Sequence, residues 1–284
     1  MNLSVVIITF NEEANIGRTL ASVKPLVADG KGEIIVVDSG SNDRTVGIAK
    51  SFGAKVFVEE WKGFGAQKNS AIDKAMGDWI LSLDADEEME RDLASLIASA
   101  ISEEQPHRKQ ELLSAMGVMT MTSRANIDGY WIQRRNLFLG RWLRHGGFWP
   151  DPKLRLFRRG SGRFENRAVH EDIAFEGKTG RLKVALSALI HHSYPTLSDY
   201  IEHMNRYSSL GAEMVVAKHN GKVRFSVINI FLRPLTTFIY NYLFRLGFLD
   251  GREGLLLHLY HAVYVSWKYA KAWEMANKPK QTPP

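Results

Sequence analysis

The sequence predicts an α/β fold: a doubly wound, mostly parallel sheet in its first half and a helical extension at its C-terminal end. Three observations carry that reading. Over the first hundred residues, short apolar runs alternate with amphipathic stretches across short links, the pattern of a parallel sheet covered by helices. The runs are rich in valine and isoleucine and do not alternate with polar residues, as befits strands buried on both faces. Three of the runs are followed by clusters of Asp, Asn, Ser and Glu, at the carboxyl edge where such sheets bind ligands.

In chain order, Leu3–Thr9 (LSVVIIT) reads as a buried strand, Glu13–Val27 as a helix and Glu33–Val37 (EIIVV) as a second buried strand. A helix over Asp43–Phe52, a short strand at Lys55–Val58 and a helix at Phe64–Met76 follow, the last with Gly77 as its stop. Trp79–Leu83 (WILSL) is the fourth strand, Arg91–Ser102 a further helix, and Gln105–Gln110 a polar surface loop. From Gly117 onward the pattern changes to strands at Val118–Thr122, Leu154–Phe157 and Val169–Phe175 among Gly- and Arg-rich loops. Pro195 precedes a helix at Thr196–Ala217, and Gly251 divides two apolar helices at Phe225–Leu249 and Leu255–Ala276. The Pro-rich tail is expected to be disordered. The implied domains are 1–195 with the sheet and the polar clusters, a helical extension at 196–277, and the tail at 278–284.

The chain has 284 residues and 32.1 kDa, with 45% apolar and 24% charged residues, ordinary for a globular protein with a buried core. With no cysteine there is no disulfide framework, thiolate metal site or cysteine nucleophile. Glu12 and Glu13 interrupt the N-terminus before an apolar signal region could finish, so no secretory signal is expected. The net charge of +6 is unevenly placed: residues 130–168 hold ten Lys/Arg against two acids, and residues 221–284 nine against three. The rest of the chain is acidic. That asymmetry points to an anionic partner on one side and carboxylate chemistry on the other.

The carboxylates lie after the strands. The first strand runs into Thr9-Phe10-Asn11-Glu12-Glu13, the second into Asp38-Ser39-Gly40-Ser41-Asn42-Asp43, and the fourth into Asp84-Ala85-Asp86-Glu87. Such side chains accept from base and ribose hydroxyls and hold a hard divalent cation, although each cluster alone also reads as a turn or helix cap. Asp84-x-Asp86 is a weak motif by itself and gains weight by following an apolar strand directly. Gly63-x-Gly65 lacks the third glycine and the preceding strand of a dinucleotide site, and no GxxxxGK[ST] occurs. His191 and His192 are expected to point apart on a strand, poor metal geometry. His258 and His261 read as packing residues, and Met116, Met119 and Met121 as core and edge filling.

TFNEE, VVDSGSNDRT, GAQKN and DWILSLDADE resemble the inverting family 2 glycosyltransferases of GT-A fold. RRNLFLGRWLRHGGFWPDPKLRLFRR, VHED, HHSYPTLSDYIEHMNRYS and RPLTTFIYNYLFRLGFLDG resemble the lipopolysaccharide core β-glycosyltransferase (glucosyltransferase) subgroup. The resemblance covers about residues 3–270. It departs at Lys68, where many relatives carry arginine and its bidentate fork.

The resemblance implies that Thr9, Asn11, Glu12, Asp38, Ser39 and Ser41 line a nucleotide pocket, with Gln67 and Lys68 near the diphosphate. Asp84 and Ala85 would meet ribose or donor sugar, Asp86 would bind the metal (Mg2+ or Mn2+), and Glu171 or Asp172 would be the general base, Glu171 matching the subgroup better. Inverting transfer is one displacement, so a carboxylate must take the acceptor proton and cationic charge must meet the departing diphosphate. The implied partners are a nucleotide-sugar donor, UDP-linked, and a lipid-anchored glycan such as the lipopolysaccharide inner core.

The basic, aromatic stretch from Tyr130 to Ala168, with Trp131, Trp142, Phe148 and Trp149 among arginines, suits a sugar acceptor better than single-stranded nucleic acid. Neither C-terminal apolar segment suits a bilayer span: Phe225–Leu249 carries Arg233, Pro234 and Arg245, and Leu255–Trp267 is too short. Tyr240, Tyr242, Tyr260, Tyr264, Trp267 and Trp273, with Lys268 and Lys271, suggest an anionic membrane surface and a monotopic protein on the cytoplasmic face of a bacterial inner membrane. An oligomer is compatible with the same features. The alternatives are a polyprenyl-phosphate acceptor, or a non-catalytic membrane-bound module for glycan or nucleic acid.

Overall fold

The computed structural model describes residues 2–102, 127–165, 172–182 and 187–278. Strands β1 (Leu3–Thr9), β2 (Gly32–Asp38), β3 (Lys55–Val58) and β4 (Trp79–Asp84) pair in parallel in the order β3-β2-β1-β4. Helices α1 (Ile16–Val27), α2 (Thr45–Ser51) and α3 (Phe64–Asp73) supply the crossovers. The sheet continues antiparallel through β8 (Pro152–Arg158) and β6 (Gly129–Phe138), then through β12 (Leu189–Tyr194) and β5 (Glu87–Met89). Helix α4 (Arg91–Ile101) follows β5. This is the α/β architecture of GT-A kind that the sequence predicts.

Both faces of β1, β2 and β4 are buried, which explains their unbroken apolar runs. Leu3, Val5 and Ile7 pack on one side with Leu20, Val23 and Leu93. Val6, Ile35, Val37 and Ile80 pack on the other with Ile72, Phe157 and Phe164. Each such side chain stabilises the fold by roughly 1.5–3 kcal/mol. Register then aligns the chemistry: Thr9 lies opposite Asp38, and Ile8 opposite Asp84, so the three polar clusters leave the sheet at one edge.

The structure differs from the sequence reading in three places along the sheet. Helix α3 ends at Asp73, and Gly77 is not its stop. A Cβ at Gly77 would come within 2.7 Å of the Leu3 carbonyl carbon, so glycine is needed there for close passage beside β1. The basic stretch after residue 128 contains a ten-residue strand, β6. Of the strand expected at Val169–Phe175, the described portion is β10 (Ile173–Phe175), paired with β9 (Gly162–Phe164). The readings at Gln105–Gln110, Val118–Thr122 and the end of the tail fall outside the described residues.

The chain divides into two compact units, Met1–Arg135 with Asp151–His192, and Asn136–Pro150 with Ser193–Pro284. In the second unit Phe138 and Leu143 are buried with Tyr200 and Leu257, which is why the segment before Pro150 groups with the C-terminal helices. Helix α5 (Leu197–Lys218) begins with a reciprocal capping box, the Thr196 hydroxyl accepting from the Asp199 amide. It packs on α7 (Gly251–Asn277). Phe225–Leu249 is not one helix. Widened π turns at Ile228–Leu232 and Tyr240–Phe244 flank α6 (Arg233–Ile239), where Pro234 occupies the first turn and lacks an amide donor.

His258 of α7 is a buried packing residue, as expected. A Cβ at Gly146, held at φ +63°, would meet its Nε2 at 2.0 Å. Burial, then the charges of His261 and Arg245, push the His258 pKa down to about 4. The imidazole is therefore neutral in the folded chain, while the unfolded chain takes up a proton near pH 6.5. Its contribution is complete above that pH and is lost as pH falls toward 4, by on the order of 3 kcal/mol. Urea unfolding between pH 7 and 4 should show this slope, and His258→Leu should flatten it; equal slopes would refute the assignment.

Candidate active site

At the β1–β2 edge, the Asp38 carboxylate is fully buried and organises the loop that follows it. Its Oδ2 accepts from the Thr9 hydroxyl at 2.7 Å and the Ser41 hydroxyl at 2.6 Å, and its Oδ1 from the Gly40 and Ser41 amides at 3.0 and 2.7 Å. Both oxygens are thus engaged by the protein. The Ser39 amide donates to the Thr9 carbonyl, and its hydroxyl is buried without a hydrogen-bond partner. Asn11, in the left-handed region at φ 54°, donates its amide to Ser41 Oγ and accepts from the Asn42 amide. Glu12 is half-buried; burial raises its pKa, the carboxylates of Asp86, Asp43 and Asp84 push the same way, and a hydrogen bond from Asn15 opposes them.

At the end of β4 the charges condense. Lys68 of α3 lies 2.8 Å from one Asp84 oxygen, and Arg155 of β8 reaches the other at 2.5 Å. The same Arg155 nitrogen reaches Glu87, itself fully buried, at 2.5 Å. Arg134 of β6 bridges Glu87 and Asp151 at 3.3 and 2.8 Å. Burial alone would raise the Asp84 pKa, but Arg155 and Lys68 hold it well below the ordinary 3.8. The Ala85 carbonyl is buried and accepts from the Thr19 hydroxyl, which pins the Asp84–Asp86 turn to α1. Gln67, beside Lys68, is fully buried with both amide atoms unpartnered.

Asp86 is partly exposed and lies 3.2 Å from His191 Nε2. Burial raises its pKa, and His191 more than offsets this, so the carboxylate is held ionised. His191 and His192 do diverge, as adjacent residues of a strand must. The sequence reading nevertheless passed over His191, because its partner is Asp86 across the β5–β12 pair; His192 meets Glu88 at 3.0 Å instead. An ionised carboxylate beside an imidazole, both partly exposed, is a donor set that suits a divalent cation with further positions left for phosphate oxygens. No group of three such ligands occurs among the described residues.

Arg155, Glu87, Arg134 and His191 are the site residues that the sequence reading missed. A signal existed for one of them: Arg155 interrupts the apolar run Leu154-Arg155-Leu156-Phe157, and a charge inside a buried strand requires a partner. Asp172 is exposed and precedes β10, its carbonyl accepting from the Glu165 amide at 2.9 Å. Hairpin β9–β10 is tied to α3 by a two-way hydrogen bond between Asn69 and Phe164, whose ring lies 5.1 Å from Lys68 Nζ. Glu171 lies outside the described residues.

Residues 4–107 match the family model described as glycosyl transferase family 2. Along nearly its whole length the chain is similar to "Lipopolysaccharide core biosynthesis glycosyltransferase LpsC" of Rhizobium meliloti, at 29% identity over 96% of this chain and 92% of that protein. It is similar to an uncharacterized glycosyltransferase of Rickettsia typhi at 28% identity, over 98% of this chain and 89% of the relative. Among solved structures, S. aureus TarS 1–349 in complex with UDP aligns over 95% of this chain and 90% of that one, with 16% identity and a TM-score of 0.46. The match to glycosyl transferase family 2 thus spans residues 4–107, the part of the chain that carries β1 to β5 and the three polar clusters.

Proposed function

We propose that the chain is an inverting hexosyltransferase that moves a sugar, glucose in our reading, from a UDP-linked donor to a lipid-anchored glycan of the lipopolysaccharide inner-core type. The observation that carries the reading is that Asp84, paired with Lys68, and Asp86, paired with His191, lie together at the carboxyl end of parallel strand β4, within the stretch that the family 2 model matches. The glycan acceptor is supported by the name of the Rhizobium relative.

In this reading Thr9, Asn11, Glu12, Asp38, Ser39 and Ser41 shape the nucleotide pocket. Asp38 does so by fixing its loop, and the unpartnered Ser39 hydroxyl and Gln67 amide are groups that a nucleotide would satisfy. Asp84, tied to Lys68, orients the ribose or sugar beside Ala85. Asp86, with His191 beside it, would hold Mg2+ or Mn2+, which when bound supplies positive charge to the departing diphosphate. Lys68 adds its own charge at the same end. Glu171 takes the acceptor proton, with Asp172 as the neighbour that could do so instead.

Residues 196–277 act as a membrane-associating extension that keeps the protein peripheral, at the cytoplasmic face of the inner membrane. No helix among the described residues is long and apolar enough to cross a bilayer. Lys271 does not serve a lipid surface as the sequence suggests: its ammonium donates to Asn205, Ser208 and Ser209 of α5.

The test couples binding to turnover. A UDP-sugar with Mn2+ should raise the melting temperature of the wild type and of Glu171→Gln alike. Transfer by Glu171→Gln should fall roughly 10²–10⁴-fold. That loss in Asp172→Asn instead would move the base by one residue, and a chain stabilised by no nucleotide sugar would end the transferase reading. Product analysis with glycan and polyprenyl-phosphate acceptors distinguishes the two acceptor classes.

A further inference from the structure

We propose that the second unit holds a pocket for the phosphate of an anionic phospholipid, between the end of α5, the segment 222–230 and α7. A cavity of about 310 Å³ is lined there by His219, Lys222, Arg224, Ser226, Asn229 and Tyr269, among others. No ion pair engages the Lys222, Arg224 or His219 side chain among the described residues, and no acidic side chain lines the cavity. Two full cations and an imidazole therefore line the cavity, beside Val215, Val223 and Ile230, with their charge uncompensated. The wall is held rigid from behind: Arg233 donates to the Tyr269 hydroxyl at 2.6 Å and sits over its ring at 5.1 Å, and Asn277 donates to the Val223 carbonyl at 2.9 Å.

What selects a lipid over a soluble anion is the residues between the lining ones. Phe225, Val227, Ile228 and Phe231 are 59%, 61%, 64% and 61% exposed. They interleave along the chain with Arg224, Ser226 and Asn229 of the pocket. An exposed apolar patch of this kind marks an interaction site. A free phosphate would account for the cations but leave these four side chains in water. A phospholipid carries an anion joined directly to hydrocarbon, and so satisfies both features at once: the headgroup phosphate accepts from Lys222 and Arg224, and the apolar residues enter the boundary between headgroups and acyl chains.

The inference rests on the peripheral-membrane reading above and names the ligand that would anchor it. It is tested by co-sedimentation of the full chain with phosphatidylcholine vesicles, with and without phosphatidylglycerol, at low salt. The wild type should sediment with the anionic vesicles only. Lys222→Ala/Arg224→Ala should weaken that partition about tenfold or more. Lys218→Ala, an exposed cation of α5 outside the pocket, should not weaken it. A double variant that sediments like the wild type overturns the pocket alone; a wild type that stays in the supernatant overturns the pocket and the membrane reading together. Calorimetric titration with inorganic phosphate is the second arm, and tight binding there with vesicle partition unchanged by the double substitution would mean a soluble-anion site and overturn the lipid assignment. Neither donor nor acceptor sugar enters these assays, so the transferase reading is judged separately.

Discussion

Asp86→Ala is expected to lower sugar transfer on the order of 10³-fold or more, the largest loss of any single substitution in the site. The reason lies in what the structure gives Asp86 and denies its neighbour. Asp84 is already engaged by Lys68 and Arg155, whereas Asp86 is partly exposed, held ionised and paired with His191 on one side. It is the carboxylate free to meet a divalent cation. Two further measurements check this, one by binding and one by turnover. Mn2+ should strengthen UDP binding to the wild type and not to Asp86→Ala, and EDTA should abolish wild-type transfer. Full activity in EDTA would remove the metal from the reading, while His191→Ala should reproduce the Mn2+ effect in weaker form.

Arg155→Ala should produce the largest loss of stability, about 3–5 kcal/mol, because it leaves the fully buried Glu87 without its close counter-charge and Asp84 with Lys68 alone. The guanidinium is almost wholly buried and touches both Asp84 and the fully buried Glu87, and their attraction raises its pKa despite burial. Arg134 reaches Glu87 only at 3.3 Å and would compensate little. Arg155→Lys keeps the charge on a side chain without the guanidinium plane, so it should lose less. Urea unfolding at neutral pH measures both variants. A loss under about 1 kcal/mol for Arg155→Ala would mean that the two carboxylates are solvated or protonated rather than paired.

Much of the first unit was legible because its signals are local. Leu3–Thr9 forms a strand over the residues that the sequence indicates, since a doubly buried strand needs only an unbroken apolar run. The start of α5 was legible in the same way, from Pro195 just before Thr196, and the structure adds the capping box between Thr196 and Asp199. The polar clusters after β1, β2 and β4 could be placed at one edge because parallel topology puts every carboxyl end on the same side.

Other features depended on partners that no local pattern names. Gly77 looks like a helix stop in sequence, yet it is fixed by the backbone of Leu3 and Ser4, more than seventy residues away. Strand β6 hid among arginines and tryptophans, because its charges become tolerable only once Glu87, Glu90 and Asp151 are brought beside them. Lys271 looks like a surface cation until α5 supplies the oxygens that surround it.

The sequence by itself therefore determined the parallel half-sheet and the edge that carries the carboxylates. Only the tertiary structure decided which of those carboxylates is free: Arg155, seventy-one residues from Asp84, neutralises that one, while His191 leaves Asp86 ionised and partly exposed. Apolar periodicity is set by neighbours along the chain, but the state of a buried charge is set by the field of groups that only folding brings within a few ångströms.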